Sequence, residues 1–284
     1  MKKILVTGGA GFIGSNLIKK LIENDYDVTS LDNYSTGATH NEVEGARYIN
    51  DDIENIFKLK TNFDVCFHLA AQSRVQPSFD DPLESVRTNI TGTTKVMEWA
   101  KTNNIKVIYA GSSSRHHEPS DSPYAMTKFL GEEICRLYKK SFNVNVEIAR
   151  FYNVYGPYEP LDEKFGNVIG IWQVKVNKNL PLPIVGDGNQ KRDFIHVEDI
   201  ADGLIKLALS NKKNTDAWEL GTGFQYSVNE LYKFFEERYS KIDFIKIDDQ
   251  PGNYRNSFRK NDQMTVELNW QPKDRLRDYI QSLD

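Results

Sequence analysis

A serine, a tyrosine and a lysine in the first half of the sequence have the types and spacing for proton transfer at a hydroxyl group. Tyr124 and Lys128 are four residues apart, so on a helix their side chains lie on one face, about one turn apart. A lysine cation beside a phenol lowers the phenol's pKa from its usual value of ~10. The tyrosine can then accept a hydroxyl proton while a hydride leaves the same carbon for a nicotinamide. Ser112 follows an apolar run and can hydrogen-bond the reacting oxygen.

A glycine-rich turn near the N-terminus indicates the nicotinamide cofactor that this chemistry needs. An apolar run over residues 3–7 leads into Gly9-x-Gly11-x-x-Gly14, which matches the dinucleotide fingerprint, and then into a helix. The glycines permit a tight turn and a close approach of the backbone to a pyrophosphate, and the N–H groups that begin the helix favour negative charge. We expect cofactor contacts from Gly8, Gly11, Phe12, Ile13 and Gly14.

An acidic residue at the end of the next apolar run favours NAD over NADP. Asp32 follows Gly14 at close to the ~20 residues expected of a ribose-binding carboxylate. Its negative charge would repel the 2′-phosphate of NADP, and the next residue is Asn33 rather than an arginine. The Tyr-x-x-x-Lys pair alone would be weak evidence for an active site, because a chain with 14 tyrosines will contain such pairs by chance. Beside this turn and Asp32 it indicates an NAD-dependent enzyme.

Two further strand ends are expected to contact the cofactor. Asp51, Asp52 and Ile53 follow the third apolar run, and a carboxylate there can meet the adenine amino group or remain a solvated loop acid. Small residues follow the fourth run, so the cofactor can lie across that strand end. The contacts expected from these positions and from the end of the second run are Asn33, Asp52, Ile53, Leu69, Ala70 and Ala71.

Alternating apolar and amphipathic segments predict the elements that position these residues. Strands are expected at 3–7, 27–31, 47–50, 64–69, 106–110 and 145–150, with helices at 12–24, 82–102 and 124–142 between them. This alternation predicts an α/β fold with a doubly wound parallel Rossmann sheet over residues 1–150. Residues 151–284 are richer in Gly and Pro and predict a smaller α/β substrate lobe, with helices at 167–177, 197–209, 227–239, 260–268 and 273–283. A return to the first domain is expected at about 193–212.

Composition excludes several other classes of protein. Lysines and arginines number 36 and acidic residues 40, a net charge of −4 with a pI of about 5.8, which argues against a nucleic-acid binder. No apolar run approaches the ~18 residues of a membrane span, and glycines interrupt the N-terminal run too early for a signal peptide. Cys66 and Cys135 cannot form a disulfide framework or a zinc site by themselves. We expect a cytoplasmic protein with no bound metal and no membrane partner.

The motifs together resemble the extended short-chain dehydrogenases/reductases. The resemblance extends beyond the glycine turn, Asp32 and the Ser-Tyr-Lys set to residues 150–157 (RFYNVYGP) and 186–197 (GDGNQKRDFIHV). It spans nearly the whole chain and is greatest to the nucleotide-sugar epimerases, of which UDP-glucose 4-epimerase is the type member. The resemblance implies catalytic roles for Ser112, Tyr124 and Lys128, and cofactor contacts from Asn89, Tyr124 and Lys128. It also implies binding of the nucleotide sugar by Ser112, Ser113, Asn153, Asn167 and Arg192.

Some of these positions leave alternatives open. The fork of donors on Arg192 suits a diphosphate, unless the neighbouring Asp193 holds it in an ion pair. Where the family has an arginine before Pro-Gly, this chain has Gln250, and Arg255 is expected to stand in for it. Family dehydratases have an acidic pair directly after the catalytic hydroxyl residue, whereas Ser113 and Ser114 occupy those positions, which argues against 4,6-dehydration.

The expected activity is that of an NAD-dependent nucleotide-sugar 4-epimerase, acting on a UDP-hexose by transient oxidation at C4. The loop at 115–123 is shorter than in most extended members, and this affects sugar specificity. The rival activities are those of a dehydrogenase, reductase or dehydratase of the same nucleotide sugars; a more remote rival is an NAD-binding scaffold without catalysis. The resemblance also implies a homodimer through helices 82–102 and 124–142, with Val96, Trp99 and Leu137 on that face or in the core.

Overall fold

The computed structural model describes residues 2–60 and 62–283, and its first half alternates strands with helices. The strands are β1 (Lys3–Thr7), β2 (Asp27–Asp32), β3 (Arg47–Asn50), β4 (Val65–His68), β5 (Lys106–Ser112) and β6 (Val146–Phe151). The helices are α1 (Phe12–Glu23), α2 (Val75–Asp80), α3 (Pro82–Val86), α4 (Thr93–Asn103) and α5 (Pro123–Ser141). Short 3₁₀ turns lie at Thr39–Asn41, Ile53–Lys58, Ser113–His116 and Pro119–Asp121.

The second half has shorter elements. They are β7 (Asn153–Tyr155), α6 (Val168–Asn177), β8 (Leu182–Val185), β9 (Lys191–His196), α7 (Val197–Leu209), β10 (Trp218–Leu220), β11 (Gln225–Ser227), α8 (Val228–Tyr239), β12 (Phe244–Ile247), β13 (Asn256–Ser257), α9 (Gln263–Leu268) and α10 (Leu276–Gln281). Within 2–60 and 62–283, no helix is long and apolar enough to cross a membrane.

A parallel sheet of seven strands forms the centre of the fold and confirms the predicted doubly wound α/β class. The strand order is β10-β6-β5-β4-β1-β2-β3. The order reverses next to β1, and ligands of such sheets bind at the carboxyl ends of the strands at this point. Alternate residues of β1 are buried on opposite faces: Val6 packs into one apolar cluster and Leu5 into the other. Both faces are therefore covered, as continuous apolar strands require.

The sheet also recruits residues from the second half of the chain. Helix α7 packs against α1, with Leu204 and Leu17 in one buried cluster. Strand β10 then pairs with β6 through Trp218, Glu219 and Leu220. The sequence did not predict this strand, because three residues are too few to show a pattern. We propose to keep the division near residue 150 and to extend the returning part of the first unit to Leu220.

The rest of the second half forms a separate small lobe. Strand β9 is central to it, pairing with β11 in antiparallel and with β7 and β13 in parallel orientation. A third apolar cluster includes Trp172 and Phe235, which meet in a T-shaped ring contact with their ring centroids 5.2 Å apart. This lobe presents β9 to the carboxyl edge of the large sheet.

Candidate active site

A cleft of about 680 Å³ lies between the carboxyl edge of the seven-stranded sheet and the small lobe. Most of the predicted site residues line it: Gly8, Gly11, Phe12, Ile13, Gly14, Asp32, Asn33, Ile53, Leu69, Ala70, Ala71, Ser112, Ser113, Tyr124, Lys128, Asn153, Asn167 and Arg192. Asp52, Asn89 and Arg255 are the predicted residues that it does not include. The fold therefore brings the glycine turn and the Ser-Tyr-Lys set into one continuous space.

The glycine turn is closed by contacts that tolerate no side chain. Gly8 has a φ of +75°, and a Cβ atom there would lie 2.8 Å from the backbone nitrogen of Ala70. A Cβ atom on Gly14 would lie 2.1 Å from the carbonyl oxygen of Gly8. The first N–H groups of a helix have no intrahelical partners, and at Gly11, on the edge of the cleft, no side chain caps α1 in their place. This end of the cleft fits a pyrophosphate.

Asp32 lies where β2 ends and is held by two backbone donors. Its carboxylate accepts the N–H of Ala10 at 2.9 Å and that of Tyr34 at 2.8 Å. Burial raises the pKa of Asp32, while these two hydrogen bonds lower it. A fixed carboxylate beside the glycine turn fits the ribose hydroxyls of NAD and disfavours a 2′-phosphate. The free N–H groups at the start of α1 and the Asp32 carboxylate therefore fit the pyrophosphate and the ribose of NAD.

Asp52, which was predicted to contact the cofactor, does not line the cleft. Asp52 caps the 3₁₀ turn after β3 by accepting the N–H of Glu54, and it pairs with Arg87 at 2.9 Å. The carboxylate of this segment that lines the cleft belongs to Asp51 instead. Because its charge is already matched, Asp52 is a structural residue in this arrangement.

Asn89 is buried and supports the loop after β4. Its side chain hydrogen-bonds both the N–H and the carbonyl of Gln72, and it donates to Thr127 on α5 at 3.0 Å. It lies in a π-helical turn, Arg87–Gly92, between α3 and α4, where the sequence predicted one regular helix. A single wider turn leaves the apolar periodicity nearly unchanged, so sequence patterns do not reveal it. Asn89 therefore positions Gln72 and Thr127 rather than lining the cleft.

Ser112 and Tyr124 meet directly. The phenol of Tyr124 donates to the Ser112 hydroxyl at 3.2 Å. The start of α5 fixes the tyrosine, because Ser122 caps the helix through the Ala125 N–H and the Tyr124 N–H donates to Ser78 at 3.0 Å. Ser114 also donates to the Ser112 hydroxyl, at 2.9 Å. The hydroxyls of Ser112 and Tyr124 are therefore close enough to hydrogen-bond the same substrate hydroxyl.

Lys128 lies one turn further along α5 but makes no hydrogen bond to Tyr124. Its ammonium donates to the carbonyl of Ala110 at 2.5 Å and lies 4.7 Å from the ring centre of Tyr109. Burial lowers the pKa of Lys128 to about 8. Burial raises the pKa of Tyr124, and the hydrogen bond with Ser112 and the positive charge of Arg74 act in the lowering direction. The sequence predicted that Lys128 lowers the pKa of this phenol; in the structure burial raises it, and the opposing positive charge is that of Arg74.

The two arginines predicted to bind the nucleotide sugar have different surroundings. Arg192 faces the cleft from β9 and donates to Asn253 at 2.6 Å. Its neighbour Asp193 points to the other side of the strand, where it accepts N–H groups of Thr222 and Gly223, so the two form no ion pair. Arg255 is exposed and holds Asp187 with two bonds of 2.8 Å, outside the cleft. Arg192 is therefore available to an anion and Arg255 is not.

The two asparagines also differ. The side chain of Asn153 lines the cleft and has no protein hydrogen-bond partner among the described residues. Asn167 caps α6 and donates to Val154 and to the buried Glu159, at 2.9 and 2.8 Å. Both N–H bonds of the Asn167 amide are thus already used. Burial raises the pKa of Glu159 to about 7.

Three consecutive residues of the short loop after β5, Arg115, His116 and His117, make contacts that hold it in place. Arg115 lies 2.8 Å from Glu133 and over the ring of Phe129, and His116 lies 2.5 Å from the buried Glu219. His117 points elsewhere and stacks on Tyr254, with 3.7 Å between ring centres. Within 2–60 and 62–283, no cluster of His, Cys, Asp and Glu could hold a metal ion.

Arg74 and Tyr254 line the cleft but carried no signal in the sequence. Arg74 lies after β4, where strand and helix patterns give way to a loop. Tyr254 lies in the tail segment before β13 and reaches the cleft through the fold of the lobe. Only the tertiary arrangement brings these two side chains to the Ser-Tyr-Lys set.

Comparison with known proteins identifies a family and individual proteins whose sequences are similar to most of this chain. Residues 4–221 match the family described as NAD dependent epimerase/dehydratase. A Methanocaldococcus jannaschii protein, provisionally named a UDP-glucose 4-epimerase, is 39% identical over 247 residues, covering 81% of this chain and 80% of that protein.

Solved structures give the same picture. The UDP-glucose 4-epimerase of Thermotoga maritima with UDP-glucose has a TM-score of 0.90 at 29% identity, covering 98% of this chain and 96% of that one. The UDP-glucuronic acid 4-epimerase of Bacillus cereus with UDP-glucuronic acid and NAD has a TM-score of 0.89 at 31% identity, covering 99% and 97%. The chain therefore belongs to the NAD-dependent epimerase/dehydratase family, with NAD as its cofactor, as the sequence predicted.

Proposed function

We propose that the protein is a 4-epimerase of a UDP-linked hexose. The observation that carries this proposal is the hydrogen bond between Tyr124 and Ser112 in the same cleft as the glycine turn and Asp32. Ser113 and Ser114 follow Ser112, so no carboxylic acid stands beside it to protonate a leaving hydroxyl. This disfavours a 4,6-dehydratase, and the complete proton-transfer set disfavours a scaffold without catalysis.

The chain's own residues handle the proton of the reaction. Tyr124 takes the proton from the C4 hydroxyl, and Ser112, whose hydroxyl lies 3.2 Å from that of Tyr124, is placed to hydrogen-bond the same substrate oxygen. Burial raises the pKa of Tyr124, and the hydrogen bond with Ser112 and the charge of Arg74 oppose this shift and favour the phenolate form. NAD, when bound, supplies a reversible acceptor for the hydride at C4. Since Tyr124 can return the proton, the chain is restored after each turnover.

Inversion at C4 also requires that the sugar turn, so that first one face of C4 and then the other meets the nicotinamide. The guanidinium of Arg192 suits a diphosphate and would hold the nucleotide end, while the sugar turns about its link to that diphosphate. Asn153 offers a free amide to the ligand in either orientation. Tyr254 lines the cleft and is held by the His117 ring of the short loop, so its position would then decide which hexoses can turn.

Proton NMR of the purified protein with NAD and a panel of UDP-, GDP- and dTDP-sugars tests this function. We expect inversion at C4 of a UDP-hexose with no accumulated NADH. Tyr124→Phe should reduce this rate at least ~10²-fold, because it removes the proton acceptor and keeps the ring. Accumulation of NADH would assign a dehydrogenase, and a 4-keto-6-deoxy product would assign a dehydratase. Unchanged turnover by Tyr124→Phe would contradict the mechanism.

A homodimer is also proposed. Val96 and Trp99, which the sequence left between the core and an interface, are buried in the core. Leu137 is exposed, and Leu83 and Leu130 on the same pair of helical segments are also exposed apolar residues. An apolar face of this kind is typical of a subunit interface.

A cytoplasmic location is proposed as well. Cys66 and Cys135 are both buried free thiols, which suits a reducing compartment.

A further inference from the structure

Arg74 is a cation in the cleft that forms no ion pair with any side chain in residues 2–60 and 62–283. It precedes α2, and its Nε donates to the carbonyl oxygen of Phe165 at 2.7 Å. This bond joins the loop after β4 to the segment before α6. The side chain lines the cleft, and the terminal nitrogens have no hydrogen-bond partner among the described residues.

Two carboxylates face Arg74, but neither forms an ion pair with it. Glu159 and Asp162 are near enough to act on its charge, yet no carboxylate oxygen among the described residues lies within 4.0 Å of it. Glu159 already accepts hydrogen bonds from Asn167 and Gln173. Asp162 accepts the backbone N–H groups that follow it. A guanidinium does not lose its proton in a protein, so this half-buried, unpaired charge favours binding of an external anion.

The position of Arg74 defines where that anion must lie. Arg74 directly precedes α2, whose Ser78 accepts the Tyr124 N–H at 3.0 Å, and the side chains of Arg74 and Tyr124 line the same cleft. Arg74 therefore stands on the side of the cleft where the C4 hydroxyl gives up its proton. Arg192 supplies a second cation from β9 and suits the diphosphate. A second anionic group near C4 of a nucleotide hexose is a carboxylate at C6, since C6 is attached to C5, the ring neighbour of C4. We infer that Arg74 binds the carboxylate of a uronic acid; the inference deepens the proposed function and rests on its placement of C4 beside Tyr124.

Binding can be measured without turnover in a Tyr124→Phe background with NAD present. Isothermal titration should show UDP-glucuronate binding at least ~10-fold more tightly than UDP-glucose, because only the former can pair with Arg74. Adding Arg74→Gln keeps an N–H donor for Phe165 but removes the charge. This variant should lose roughly 10²-fold in affinity for UDP-glucuronate and little for UDP-glucose.

Two further variants distinguish a carboxylate contact from a structural role. Arg74→Lys should restore part of the preference, since it restores the charge without the planar fork. Lys164→Ala removes another cation of the cleft wall, one that already faces Asp80 at 3.6 Å, and should leave the preference unchanged. Equal affinity of the two sugars, or an equal loss for both with Arg74→Gln, would overturn the inference.

Failure of this inference is distinguishable from failure of the proposed function. Preferred binding of UDP-glucuronate with no inversion of any UDP-sugar by the unmodified protein would support the Arg74 contact and refute the epimerase. Inversion of UDP-glucose without any preference for the uronate would do the reverse.

Discussion

At the scale of single residues, Glu159 offers a test of how burial is tolerated beside the cleft. Burial raises its pKa from 4.5 to about 7 in the folded chain, although Asn167 and Arg74 act in the opposite direction. The folded chain therefore binds a proton that the unfolded chain has lost between about pH 4.5 and 7. In this window Glu159 lowers the free energy of unfolding progressively as the pH rises.

We predict that Glu159→Gln changes the melting temperature, relative to the unmodified protein, more favourably at pH 8 than at pH 4.5, because the amide cannot ionise. At pH 4.5 and below, the carboxyl is protonated in both states, so this advantage of the variant should shrink. Thermal unfolding followed by circular dichroism at several pH values measures this. Glu163→Gln is a suitable control, because that carboxylate is exposed and paired with Lys175. A change independent of pH would contradict the role assigned to burial.

The sequence located the residues of the site better than it described their contacts. That Ser112, Tyr124 and Lys128 line one cleft could be predicted, because a strand end and an i,i+4 spacing on a helix are visible in the sequence. The partner of Lys128, the carbonyl of Ala110, could not, since backbone atoms leave no trace in a sequence pattern. Arg74 was missed for a related reason: an isolated arginine in a loop acquires meaning only from what lies across the cleft.

At the scale of elements, two glycines of the turn before α1 have different roles: Gly14 is needed for packing and Gly11 for binding the cofactor. A Cβ atom on Gly14 would lie 2.1 Å from the Gly8 carbonyl, so Gly14→Ala should push α1 from β1 and lower both stability and NAD affinity. A Cβ atom on Gly11 meets only the Gly8 oxygen, at 3.3 Å. Gly11→Ala should therefore keep most of the stability and lose NAD affinity, because the pyrophosphate needs that space. Thermal unfolding and NAD titration of the two variants measure the difference; equal melting temperatures would contradict it.

Most long elements were predicted to within a few residues of their observed ends. Helix α7 begins at Val197 and ends at Leu209, as its apolar periodicity indicates. The π-helical turn at Arg87–Gly92 and strand β10 were not predicted, because each depends on tertiary contacts. The turn contacts Ile53 through Gly92, and β10 forms only beside β6.

At the scale of the whole molecule, the exposed apolar face of α3 and α5 predicts a dimer. Leu130→Glu and Leu137→Glu together should convert the protein to a monomer, because two charges would be buried in the interface. Light scattering after gel filtration measures the mass. Val266→Glu places the same charge on α9, at a residue that is 80% exposed, and should leave the mass unchanged. A monomeric unmodified protein would contradict the proposal.

The central claim concerns a hydrogen that leaves C4 and returns to the same carbon on its opposite face. A UDP-hexose deuterated at C4, incubated in ordinary water with the protein and NAD, tests it most directly. NMR and mass spectrometry should show that the inverted sugar retains deuterium at C4, because the hydride never exchanges with solvent. Inversion with loss of deuterium to water would show that C4 is deprotonated instead, and would contradict the account.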